Sequence, residues 1–158
     1  MLAEAIARGA GAVEGTLVTL VCVAERASHW EALDAAQAIV FGCSTYMGSG
    51  PAALKAFMEE TIQPQFLEQR WKDKLAAGFA AQHGMLWITL GQLLGWQTSV
   101  GSADDPNRLA SFLGLMAQSN SDQGLDLAPP TSDRLTAELF GRRISEAAHH
   151  SLGGDEMR

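Results

Sequence analysis

The residue types best suited to chemistry stand together in Cys43-Ser44-Thr45-Tyr46-Met47-Gly48-Ser49-Gly50. This small, polar turn follows an apolar run, Ala38-Ile39-Val40-Phe41-Gly42, and precedes a helical pattern opened by Pro51. Proline suits the first helical position, because its missing N–H would have been an orphan there. In open α/β sheets a strand–loop–helix junction lies at the carboxyl end of a strand, where ligands bind. Gly48 and Gly50 let the backbone approach a ligand closely or take a positive φ. The chemistry on offer is binding rather than bond cleavage. Tyr46 and Met47 can equally serve as caps on a core.

Other reactive side chains carry less. His83 precedes an apolar run and reads either as a site residue or as a satisfied turn histidine. Trp96 lies in a Gly/Ser/Asp-rich loop, where it can cover a site mouth or pack on a neighbour. His149 and His150 end the last helical pattern with no third ligand at metal spacing, so no metal site is expected. Asp104 and Asp105 read as loop and capping charges, and Arg142 and Arg143 as a solvated patch. Ser, His and Asp all occur, but no G-x-S-x-G elbow does, which argues against a hydrolase.

Elements must position these residues. Leu2–Ala10 is helix-like, with Gly9 and Gly11 as stops. Thr16–Ala24 (TLVTLVCVA) is a nearly continuous β-branched apolar run, the pattern of a strand buried on both faces. Ser28–Asp34 is a short helix or turn, Ala38–Gly42 a second strand, and Pro51–Thr61 a helix with Leu54, Phe57 and Met58 on one stripe. Gln63–Trp71 is an amphipathic connector. Lys74–Phe79 and Met85–Leu90 are further strands. Arg108–Gln118 is a helix carrying Leu109, Phe112, Leu113 and Met116. The last helix begins at a Ser132 or Asp133 cap and runs to about His150, with Leu135, Leu139, Ile144 and Ala147 inward. Alternating helices and buried strands predict an α/β sheet with parallel strands.

The chain has 158 residues, 47% of them apolar and 18% charged, which suits one domain, 1–158, with a sizeable core. The net charge of −7 and the lack of a basic cluster argue against nucleic acid. No apolar run is long enough to span a bilayer. No signal-peptide layout opens the chain, and Cys22 and Cys43 sit in or beside apolar runs as reduced core thiols. A cytoplasmic setting is therefore expected.

The loop STYMG followed by LKAFMEE resembles the flavodoxin-like NAD(P)H:quinone oxidoreductases and their FMN-reductase relatives. So do LAEAIARGA, HGMLWI, NRLASFLGLMAQS and SDRLTAELFGRRISE, in the family's order. The resemblance implies a five-stranded flavodoxin-like three-layer α/β/α sandwich, a non-covalent FMN, and hydride transfer from NAD(P)H to quinones or related acceptors. It also implies a homodimer or homotetramer. A flavin needs backbone N–H groups aimed at its ring oxygens and side chains flat against the ring. Thr45, Tyr46, Met47 and Gly48 offer both. The family often carries proline where this chain has Ser44. The resemblance implies a place near the flavin for His83, and Trp96 could cover the acceptor side.

The chain departs from the family at two points. The opening strand with its phosphate loop does not precede Leu2, although that loop and the following helix N-terminus would hold the FMN phosphate. Near Phe79 and Ala80 a flavin-contacting loop and a helix are absent, and about five residues join the two strands. A parallel crossover takes about a dozen, so this reading expects an antiparallel hairpin or further residues in between. In strand order 2-1-3-4-5 the missing strand is the shared neighbour of Thr16–Ala24 and Ala38–Gly42. Further segments in the natural chain, a shortened sheet repaired by oligomerising or re-pairing, and a different topology all answer this. Two function classes follow: an FMN-dependent oxidoreductase, and a flavin-free binding or assembly protein.

Overall fold

The computed structural model describes residues 1–77, 83–120, 122–124 and 126–153. Its contacts gather into two compact units, Met1–Val18 with Ile88–Arg158, and Thr19–Trp87.

The second unit holds the sheet. A 3₁₀ turn, Val23–Ser28, leads into α2, Trp30–Ala35, and then β1, Ala38–Val40. Helix α3, Ala52–Glu60, and a π-turn at Ile62–Phe66 follow, then β2, Leu75–Ala77, and β3, Leu86–Trp87. The strands pair in the order β1-β2-β3, and both pairs are parallel. Ile39, Phe57, Trp71, Ala76 and Met85 form the core, flanked by Trp30, Leu33, Phe41 and Leu54. Rings dominate it. Trp30 stacks on Phe57 at 5.6 Å, and Phe41 lies 6.1 Å from both Phe57 and Trp71. The expected stripe on α3 is present, with Phe57 its most buried member and Leu54 packed beside it.

The parallel β2–β3 pair corrects the expected hairpin. The strands are only three and two residues long, so the return link widens to residues 78–85, of which 78–82, with Phe79, lie outside the described residues. The sheet of the described residues has three strands rather than five.

Thr16–Ala24 is not a strand. Leu17 is 94% exposed, Leu20 is also exposed, and the segment ends in the 3₁₀ turn. A strand apolar on both faces needs a hydrogen-bonding neighbour, and among the described residues this run has none. The cysteines are likewise misjudged as core residues: both are free thiols, and both are exposed.

The first unit is built on α1, Leu2–Gly11, and α4, Thr131–Gly153. Gly9 does not end α1. It lies buried inside the helix, where a Cβ would stand 1.8 Å from the Glu138 carbonyl oxygen. At Gly141 a Cβ would stand 2.0 Å from that of Ile6. The two glycines let the backbones touch, and this close crossing sets which face of α4 is covered. Ala137, Phe140, Gly141, Ile144 and Ser145 are buried, whereas Leu135 and Leu139, expected inward, stay exposed. Arg8 bonds Glu138 at 2.6 Å, and Thr16 reaches His149 Nε2 at 3.0 Å, so that histidine is not merely solvated.

Residues 108–118 are not helical either. Asn107 and Ala110 take φ of +53° and +56°, which breaks an α-helix. Asn107 instead bonds the carbonyls of Gln92 and Ser111 and the amide of Ser111. Phe112, Leu113 and Met116 remain exposed despite their helical spacing.

Candidate functional site

Strand β1 runs straight into the predicted loop. Phe41 still donates to the Ala77 carbonyl at 2.7 Å, prolonging the parallel ladder, and the chain then leaves the sheet at its carboxyl end. Residues 46–49 close a tight turn. Tyr46 and Ser49 exchange backbone bonds of 2.7 and 2.9 Å, while Met47 and Gly48 take φ of +50° and +79°. Two successive positive φ values define a type I′ turn. Gly48 accepts that geometry freely. Met47 does not, and a residue other than glycine in the left-handed region costs roughly 1–3 kcal/mol. Strain of this kind gathers at functional sites.

The turn displays its contents. Ser44 and Thr45 are exposed, Tyr46 is 63% exposed, and the Met47 side chain is fully in solvent. Among the described residues no hydrogen bond engages the Met47 and Gly48 amides. The turn thus offers two neighbouring donors and two adaptable side chains at the carboxyl end of a parallel strand.

His83 is not brought to this loop. Gly84 accepts from the Asp73 amide at 3.1 Å, and Leu86 donates to the Lys74 carbonyl at 2.8 Å. These contacts tie His83-Gly84 to the amino end of the strands, opposite residues 43–50. The ring is 8% exposed, 5.0 Å from Trp71 and 6.0 Å from Phe66 by centroids. The Thr61 hydroxyl donates to the Met58 carbonyl at 2.7 Å and lies 3.0 Å from His83 Nε2. That hydroxyl has a single proton, so Nε2 carries the hydrogen and donates to Thr61. Burial pushes the His83 pKa below its usual value. The sign follows: the fold favours neutral His83, so stability is complete above pH ~6.5 and falls as the pH drops below it. His83→Gln is expected to cost about 1 kcal/mol at pH 7.5 and to flatten this acid-side decline, measured as urea midpoints from pH 7.5 to 5.

The sequence reading missed the groups around Asp34. Its carboxylate accepts from Trp71 Nε1 at 2.7 Å, Arg70 Nη1 at 3.0 Å and Gln65 Nε2 at 3.3 Å. Burial alone would raise its pKa, but the bonds from Arg70, Trp71 and Gln65 outweigh it and hold the group ionised below the usual range. Lys74 donates to the carbonyls of Asp34 and Ala36 and joins α2 to the start of β2. The visible clue was Trp71, a large ring within the otherwise polar run Gln69–Lys74, and it is fully buried. Trp96 belongs to the other unit and is 53% exposed. Its loop is wound tightly, with a Cβ at Gly95 placed 2.1 Å from the Pro106 carbonyl. Among the described residues no helix is long and apolar enough to cross a membrane, and no group of potential ligands could hold a metal.

Residues 4–93, which include the turn, match the family described as NADPH-dependent FMN reductase. The chain is 35% identical to flavodoxin FldP of Pseudomonas aeruginosa strain UCBPP-PA14, over 85% of this chain and 84% of that protein. It also superposes on the crystal structure of a flavodoxin, WrbA-like protein from Agrobacterium tumefaciens with a TM-score of 0.59 and 27% identity, covering 94% of this chain and 88% of the other. The parallel sheet, its flanking helices and these likenesses converge: the chain belongs to the NADPH-dependent FMN reductase family of flavodoxin-like, flavin-dependent oxidoreductases.

Proposed function

We propose that this protein is an FMN-dependent oxidoreductase that passes reducing equivalents from NAD(P)H to a quinone-like acceptor. The supporting observation is the type I′ turn at residues 46–49, held at the carboxyl end of β1 inside the segment that matches the family. Its residues fit the ring of a flavin. The Met47 and Gly48 amides can donate to the ring's carbonyl oxygens, Tyr46 and Met47 can cover its face, and Ser44 and Thr45 border it. When bound, FMN supplies a carrier that takes two electrons from a nicotinamide and hands them on. The chain's own part is to orient that ring and to keep one face open for donor and acceptor in turn.

His83, sealed at the other end of the strands, is given a structural role in this reading rather than contact with the ring. Trp96 is assigned to the acceptor side. The protein is proposed to work as one flavodoxin-like domain and as a homo-oligomer. Among the described residues no second glycine-rich turn joins a strand to a helix N-terminus where the phosphate would sit, and this favours the flavin-free binding protein as the second reading.

One titration decides between them. FMN fluorescence is expected to quench saturably on adding the protein, and the complex to be yellow. Gly48→Val, which forces a β-branched residue to positive φ, is expected to weaken FMN at least tenfold while His83→Gln leaves it within about twofold. Trp96→Ala is expected to raise KM for a benzoquinone acceptor without changing FMN affinity. A colourless protein that never quenches FMN would establish the flavin-free reading.

A further inference from the structure

Arg143, on α4, is pinned to a loop that gives it no carboxylate to meet. Its Nε donates to the Thr89 carbonyl at 3.0 Å. Its side chain lies across Gly91, where a Cβ would stand 2.5 Å from Nε and 2.6 Å from Cζ. Gly91 has a φ of +66°, so a glycine serves both the turn and the close contact. The loop beneath is itself fixed. Leu90 is fully buried and donates to the Phe112 carbonyl at 3.0 Å. Gln92 gives its side-chain amide to the Thr136 carbonyl at 3.1 Å, and its own carbonyl accepts from Asn107 at 3.2 Å. The guanidinium is therefore positioned before any ligand arrives.

Its outer donors are uncommitted. Arg8, Arg26, Arg70 and Arg108 each pair with a carboxylate. Arg143 enters no ion pair among the described residues, and there neither Nη1 nor Nη2 gives a hydrogen bond. The backbone amides of Gly91 and Gln92 donate no hydrogen bond among those residues either. Glu146, one turn along α4, pairs with no cation among them, while the anchored guanidinium stays turned to the loop. In a chain of net charge −7, a rigid arginine without an acid is an exception.

We infer that Arg143, with the amides of Gly91 and Gln92, binds a small oxyanion, a phosphate or carboxylate group. Two neighbouring N–H donors of a guanidinium match two oxygens on one centre. Backbone amides at a glycine turn add fixed positive dipoles beside them. The acidic remainder of the chain repels an extended polyanion, so the group belongs to a small molecule. The inference does not rest on the flavin reading. Arg143, Gly91 and Gln92 all belong to the unit that lacks the turn at 46–49.

The test titrates inorganic phosphate and, separately, acetate into the isotope-labelled full chain at low ionic strength, following the amide resonances. Saturable shifts at Gly91 and Gln92 are expected for at least one of the two. Arg143→Gln is expected to weaken that binding at least tenfold. Arg142→Gln, which removes the same charge from the next position, leaves it within about twofold. Both side chains are exposed, so both variants fold, which urea midpoints check. Raising the salt should weaken binding further. Tighter binding of phosphate marks the ligand as phosphate-bearing, and tighter binding of acetate marks it as a carboxylate. No saturation by either up to ~50 mM, shifts at Gly91 and Gln92 that survive Arg143→Gln, or an equal loss in Arg142→Gln overturns the inference.

Discussion

Asp133→Ala is expected to lower stability by about 3–5 kcal/mol, the usual consequence of leaving one partner of a buried ion pair alone. Asp133 lies in the first turn of α4 and is 2% exposed. Its two oxygens accept from Arg108 Nε at 2.8 Å and Nη2 at 3.0 Å, in the forked geometry that favours arginine. One of them also accepts from the Gln118 amide at 2.9 Å. The single carboxylate therefore closes the irregular segment 108–118 onto the helix. Its removal strands a guanidinium and a backbone donor together. A small domain is stable by only ~5–15 kcal/mol, so the variant should unfold at a much lower urea concentration. Arg108→Met combined with Asp133→Leu removes both charges and should recover part of the loss. If Asp133→Ala shifts the midpoint by less than the equivalent of about 1 kcal/mol, the pair is not holding the segment.

The second large effect is expected at the crossing of α1 and α4. Gly141→Val should cost at least the upper part of the ~1–3 kcal/mol range for overpacking. A Cβ there would stand 2.0 Å from the Ile6 carbonyl oxygen, a backbone atom that cannot swing aside as a side chain can. The helices must separate, and Ala5, Ala137 and Ile144 would lose close packing together. Gly141→Ala should have the same sign and a smaller size. Thermal unfolding of the two variants checks the order. A Gly141→Val protein melting with the parent would mean that the helices are not in contact.

The segments read correctly from sequence were those whose pattern reports purely local physics. The 38–61 junction was legible because an apolar run, a glycine turn and a proline-led helix each carry their own signal. Gly48 and Gly50 were read as free to approach a ligand closely or to take a positive φ, and of the two Gly48 takes it. Helices α1, α3 and α4 were found to within a few residues by periodicity and end signals. The errors share one cause. TLVTLVCVA has the composition of a buried strand, but a strand exists only beside a partner. Residues 108–118 have helical spacing, but Asn107 and Arg108 are drawn into tertiary bonds that the helix would forbid. Inward positions on α4 were chosen by size, whereas glycine contacts set the crossing and covered a smaller, more polar face.

By itself, then, the sequence determined the class of fold, the family, and the strand–loop–helix junction at 38–61. These depend on residue order over a few turns of chain. Only the tertiary structure decided that β2 and β3 run parallel, that His83 is buried at the end of the strands away from the loop, and that Asp34, Gln65 and Arg70 meet across more than thirty residues beside Trp30. Register, burial and convergence arise from pairing and packing between distant segments, and no local pattern encodes which distant partner a segment will meet.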